Sequence, residues 1–254
     1  MKPRLHAMRF TSNSRNYYIH WSFLLIIVWM LVINLISVIK PVQVIWAALL
    51  ILAFLFSLLL HEAAHALAGR IFGFTEADLL ILPSGSVGGG IDTIRNFRVK
   101  TLVLLAGPIT NLTIAFLLKF FIEPYSAYWN EPANIGVVEP GNFLFQVHIV
   151  NLSLGVFNLI PILPADAGRV LRGALAMRIG PQKSAGALSG LTKWVALAAL
   201  LIGFYSLNLL IILAAIYILL TWRAENLLEA RIRQNPSSNS TDPIDFFLNH
   251  SHFS

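Results

Sequence analysis

His61-Glu62-Ala63-Ala64-His65 has the residue types and the spacing to hold a metal ion and to activate water beside it. On a helix, side chains four apart stand on one face, about 6 Å apart along the axis, so two imidazoles can grip one ion. Glu62 then sits beside that ion as a base for the water. The apolar flanks, Ser57-Leu58-Leu59-Leu60 and Ala66-Leu67-Ala68, favour a helix through the motif. With seven His and seven Glu in 254 residues, the string is expected by chance about 0.005 times if residues are independent.

The chain has no cysteine, so His, Asp or Glu must hold any metal. Catalytic zinc takes three protein ligands and keeps a fourth position open. The candidates for the third are His20, His148, Asp78, Asp92, Asp166 and the glutamates. Asp166 follows the run Asn158-Leu159-Ile160-Pro161-Ile162-Leu163-Pro164-Ala165. Pro161 and Pro164 stop a helix, which predicts Asp166 on a bent, non-helical segment able to turn inward. The same placement suits Asp166 as the N-cap of a helix over Ala167–Arg178, and spacing alone does not choose between the two.

The elements that must position these residues are apolar. The chain is 57% hydrophobic and only 12% charged, with a mean hydropathy of +0.72. Soluble chains carry about 25% charged residues, so lipid is the expected solvent. The net charge of +6 is then a record of topology, and no nucleic-acid partner is expected. Apolar runs predict spans at Tyr17–Ile39, Val42–Gly69, Leu102–Ile122 and Phe143–Leu163. Leu191–Leu220 is long enough for two, split at Gly203–Asn208. Six spans place both termini on one face together with fifteen cations, among them Arg4, Arg15, Arg98, Arg172 and Arg223. The positive-inside rule makes that face cytoplasmic. The first span is too long for a signal-peptide core, and no small-x-small site follows it, so it reads as retained. Residues 223–254 read as a cytoplasmic, disordered tail, polar from Gln234 onward. The fold class expected is therefore an all-α polytopic membrane protein: a segment 1–16, a six-span core 17–222, and the tail.

Together these residues resemble the site-2 protease family of intramembrane zinc metalloproteases. The likeness rests on His61-Glu62-x-x-His65 at a span end, then Leu105-Ala106-Gly107-Pro108-Ile109-Thr110-Asn111-Leu112 opening another span. It is completed by Phe157-Asn158-x-x-Pro161-x-x-Pro164-x-Asp166 and by His20-Trp21-Ser22-Phe23 at the first span, and covers roughly residues 17–222. The resemblance implies one Zn2+ held by His61, His65 and Asp166, with Glu62 as the catalytic general base. It also implies a membrane-associated β-hairpin between the second and third spans. Leu79–Ile91 fits one, with short strands about Ser84-Gly85-Ser86, and Ser86, Val87 and Gly88 could pair with an extended substrate. Asn111 and Asn158 are candidates for binding the substrate carbonyl or the oxyanion, or else for gluing helices together. Ala167 stands where the family usually has glycine, and there is no room for a PDZ insert or a C-terminal nucleotide-binding module: a minimal member is expected.

The expected function is zinc-dependent cleavage of a single-span membrane protein within the bilayer of a plasma (inner) membrane. Such a protease is compatible with a second copy or a regulatory membrane partner. An ion transporter and an inactive scaffold are the rivals. A transporter ordinarily shows repeats or matching interrupted helices, and neither is evident. A scaffold has no need of all four of His61, Glu62, His65 and Asp166.

Overall fold

The computed structural model describes residues 7–12, 15–20, 41–74, 79–82, 85–88, 94, 96–122 and 141–234. Among them run six helices: α1 (Pro41–Ile71), α2 (Phe97–Ile122), α3 (Phe143–Leu159), α4 (Asp166–Ile179), α5 (Pro181–Tyr205) and α6 (Leu209–Gln234). Three are long and apolar enough to cross a membrane, over Val44–Ile71, Phe97–Ile122 and Pro181–Tyr205, and Phe143–Leu159 and Ile211–Leu220 are shorter apolar helices.

The helices bury polar and small residues among their apolar contacts and leave large apolar side chains exposed. In α2, Gly107, Pro108 and Asn111 are buried, while Ile109, Phe116, Phe120 and Phe121 are exposed. In α1, His61, Glu62 and His65 are buried, while Leu52, Phe56, Leu59 and Leu67 are exposed. Apolar surface on this scale is unfavourable against water, and it is the arrangement of helices that pack through small and polar residues within lipid. The chain is a membrane protein.

Local chemistry sets the helix ends. Asn96 Oδ1 accepts from the N–H groups of Arg98 (3.0 Å) and Val99 (3.4 Å), capping α2. Gly73, at φ +80°, turns the chain out of α1; its N–H donates to Arg70 O, and that of Phe74 donates to Gly69 O. Gly180, at φ +84°, separates α4 from α5, which starts at Pro181. The α5–α6 break occupies Ser206–Asn208, inside the interval where the sequence predicts a turn.

Four expectations change. First, strands extend beyond the one hairpin expected over Leu79–Ile91. Four strands, β1 (Ala7–Ser12), β2 (Arg15–His20), β3 (Leu79–Leu82) and β4 (Gly85–Gly88), form one sheet in that order. The β1–β2 and β3–β4 pairs are antiparallel; β2 and β3 are parallel, with Tyr17 opposite Leu79. Tyr17–His20 therefore belong to a strand and not to the first span; the rest of that expected span, 21–39, lies outside the described residues. Aromatic and β-branched residues such as Tyr17, Tyr18 and Ile19 suit a pleated sheet as well as a membrane interface. Second, Phe143–Leu163 is helical only to Leu159, because Ile160 (ψ 128°) precedes Pro161 and is extended. Third, Asp166 is not on an irregular segment: it is the first residue of α4, and Ala165 is its N-cap. Fourth, residues 223–234 continue α6, where Ala, Glu, Leu and Arg are strong helix formers. Residues 235–254 lie outside the described residues.

Two apolar clusters tie the helices together. Ile94, Val103 and Leu104 pack with Ala68, Phe74, Val99 and Val170, joining α1, α2 and α4. Ile162 packs with Ala196 and Ile218, joining the α3–α4 connection to α5 and α6.

Candidate metal centre

α1 delivers His61 and His65 to one face, one helical turn apart, and α4 brings Asp166 to meet them. The two Nε2 atoms are 3.1 Å apart, and each is 3.2 Å from Asp166 Oδ2. All three side chains are buried.

Each imidazole is oriented through its other nitrogen. His65 Nδ1–H donates to Val103 O at 2.8 Å, and His61 Nδ1–H donates to Asn111 Oδ1. With the protons on Nδ1, both Nε2 atoms present lone pairs. Two lone pairs and a carboxylate oxygen then crowd together in a buried pocket, and only a cation between them makes that favourable. Zinc bonds of about 2.0–2.1 Å at tetrahedral angles separate ligand atoms by roughly 3.3 Å. The observed triangle matches three corners of that tetrahedron. A cation among these ligand atoms also favours the charged form of the Asp166 carboxyl. That is the form that binds a cation, and the place of Asp166 at the N-terminus of α4 favours negative charge further.

Space for the ion comes from Gly107. A Cβ on that residue would collide with His61 Nε2 and His65 Nε2, so the missing side chain keeps α2 clear of the triangle's centre. Glu62 is buried beside His61, and its Oε1 has no hydrogen-bond partner among the described residues. The residues present fit one Zn2+.

The connection leading to Asp166 is held from two sides. Leu163 N–H donates to Thr192 Oγ1 of α5 at 3.0 Å. Gly168 presses against the main chain of Ile162, where a Cβ would meet its carbonyl group. Ala167, by contrast, is an ordinary half-buried residue of the first turn of α4, so no glycine is required there. Gly168→Ala is expected to push α4 from the connection and displace Asp166, weakening zinc about tenfold or more and destabilising the protein by about 1–3 kcal/mol. Zinc titration against a chelator, with thermal melting in detergent, checks this. An unchanged affinity means that the contact does not set the ligand.

The other sequence candidates separate. Asn111 directs its amide into the protein: Oδ1 to His61, Nδ2 to Asn151 Oδ1 (3.0 Å) and Ser57 O (3.4 Å). Those bonds leave it no free donor for a substrate carbonyl. Asn158 Nδ2 donates to Leu154 O at 2.9 Å, and its Oδ1 is unpartnered among the described residues. His148 is buried elsewhere, its Nδ1–H donating to Ala115 O. His20 lies in β2, and Ser86, Val87 and Gly88 lie in β4; among the described residues none of these joins the metal-ligand group. Asp78 and Asp92 lie outside the described residues. The sequence reading missed Ser57, Gly107, Asn151 and Gly168. Ser57 carries a signal, standing four residues before His61 on the same helix face, and Asn151 is an amide in mid-helix among apolar residues.

No family model matches the chain. It is 31% identical over 180 residues to the zinc metalloprotease MJ0392 of Methanocaldococcus jannaschii, covering 69% of this chain and 48% of that protein. It is 30% identical over 147 residues to the putative zinc metalloprotease YwhC of Bacillus subtilis, covering 48% of this chain and 67% of that protein. The chain thus spans about half the length of the first relative and two thirds of the second. The solved structure of a site-2 protease from Methanocaldococcus jannaschii superposes with a TM-score of 0.64 and 26% identity, over 85% of this chain and 94% of that one. In fold, in sequence and in its buried His61–His65–Asp166 group, the chain belongs to the site-2 protease family of zinc metalloproteases.

Proposed function

We propose that the protein is a zinc-dependent endopeptidase that cleaves membrane-embedded segments of other proteins. The observation that carries this reading is the meeting of His61, His65 and Asp166 at 3.1–3.2 Å, with the buried Glu62 beside them, its Oε1 unpartnered among the described residues. A zinc ion bound there supplies the positive charge that makes water a nucleophile at neutral pH. Glu62 takes the proton from that water and returns it to the leaving amine. Its buried setting keeps bulk water from competing for that proton. Asn158, whose amide oxygen is unpartnered among the described residues, is the remaining candidate to fix the substrate backbone, its oxygen accepting from a peptide N–H.

The substrate in this reading is a single-span membrane protein. Its helix must be unwound before a peptide bond is open to attack, and β4, at the edge of the sheet, offers Ser86, Val87 and Gly88 as a pairing strand. In the same reading the chain crosses the membrane six times, with both termini and the chemistry toward the basic, cytoplasmic face.

Reconstitution of the purified protein in liposomes with a labelled single-span substrate tests the proposal. The expected result is fragments ending within the span, abolished by a chelator and restored by zinc. Zinc-loaded protein that moves ions across the bilayer but leaves several such substrates intact would instead identify a transporter.

A further inference from the structure

His61 serves the metal only when its proton sits on Nδ1, and the packing of three helices decides that. Ala53 O is a main-chain carbonyl and can only accept, so Ser57 Oγ–H donates to it at 2.8 Å. The same hydroxyl therefore accepts, from Asn151 Nδ2 at 3.0 Å. Val147 O, another carbonyl, takes the second hydrogen of that nitrogen at 3.0 Å. The orientation of the Asn151 amide is thus forced, and its Oδ1 faces Asn111 Nδ2. Asn111 Nδ2 also meets Ser57 O, so the second amide is oriented as well and its Oδ1 faces His61 Nδ1. An oxygen there requires a hydrogen on the imidazole nitrogen.

We propose that Ser57, Asn151 and Asn111 form a directional hydrogen-bond relay that sets the tautomer and ring orientation of His61 for metal binding, with Asn151 as a positioning residue that never touches the metal. This rests on the metalloprotease reading above. Asn111 and Asn151 are fully buried and Ser57 nearly so, and both donors and the acceptor of each amide are used. No water is needed to complete the relay, and no alternative amide orientation satisfies it. Partners of this kind, behind a metal-binding histidine, typically change metal affinity 10- to 100-fold when removed.

Zinc affinity of the full chain in detergent, measured by competition with a fluorescent chelator, tests the relay, with melting of the metal-free protein recorded for each variant. Asn111→Leu should lose zinc affinity about 10- to 100-fold, while Asn111→Asp, which accepts from Nδ1–H and as the buried neutral acid donates its O–H to Asn151 Oδ1, should lose clearly less. Asn151→Leu should weaken zinc about tenfold in the wild-type background and add nothing in the Asn111→Leu background, since it acts through Asn111. Equal loss in Asn111→Asp and Asn111→Leu overturns the proposal. So does an Asn151→Leu effect that is absent, or that persists undiminished in the double variant. If Asn151→Leu does not fold, the two Asn111 variants decide. Wild-type protein that retains no zinc overturns the metalloprotease reading itself, whereas zinc bound equally by wild type and variants overturns the relay alone.

Discussion

Glu62→Gln is expected to keep one zinc per chain and to lose cleavage by about 10²–10⁴-fold, the usual contribution of a positioned general base. The substitution is nearly isosteric, and it falls on a side chain whose Oε1 makes no hydrogen bond among the described residues. It therefore breaks no contact at that atom that holds α1 in place. What it removes is the ability to take a proton: an amide next to the ligand group is neutral and has no basic lone pair. The metal ligands His61, His65 and Asp166 are untouched, so metal content should be unchanged. Zinc measured by elemental analysis, alongside single-turnover cleavage, separates the two quantities. Activity within tenfold of wild type would remove Glu62 from the chemistry, and loss of zinc would show that it holds the metal site together instead.

Gly107→Ala is the second large effect. The added methyl would stand 2.6 Å from His61 Nε2, inside the space that three ligand atoms leave for an ion. Helix α2 itself does not suffer, because alanine is about 1 kcal/mol more favourable than glycine in a helix interior. The variant should thus fold, bind zinc at least about 100-fold more weakly, since it disturbs two ligands at once, and show no cleavage. Gly155→Ala is the control. There a Cβ meets Leu112 side-chain atoms at 2.7 and 2.8 Å and Pro108 O at 3.2 Å, so it stresses α2–α3 packing without facing the imidazoles. Lower melting with retained zinc for Gly155→Ala, against lost zinc for Gly107→Ala, is the expected contrast. A Gly107→Ala protein with a full complement of zinc would mean that the metal is held elsewhere.

The ligands on α1 were legible because helical periodicity is local: the spacing of His61 and His65 already states that they share a face. Asp166 was legible as a candidate through Pro161 and Pro164, which end α3 as the residues dictate. Its place at the start of α4 was not, since Ala165 is a poor N-cap by its side chain and the carboxylate faces the imidazoles instead of capping. The break between α5 and α6 could be read from length alone. The sheet could not, because partners in β2 and β3 lie 62 residues apart, as Tyr17 and Leu79 do, and Tyr17-Tyr18-Ile19 suits an interface and a strand equally. Asn151 was silent for a similar reason. An amide in an apolar helix announces that it has a partner, but which nitrogen or oxygen it meets depends on how α1, α2 and α3 pack. The roles of Gly107 and Gly168 are likewise defined by what a side chain would strike, and a sequence does not show that.

The distance along the chain between His61 and Asp166, 105 residues, has a consequence for the timing of biosynthesis. At about 5–20 residues per second of translation, α1 leaves the ribosome roughly 5–20 s before α4 does. Through that interval the two histidines reside in the membrane without their carboxylate partner, so the nascent chain cannot hold a three-ligand ion. In the function proposed above, the zinc-dependent step therefore has to wait until α4 has been made.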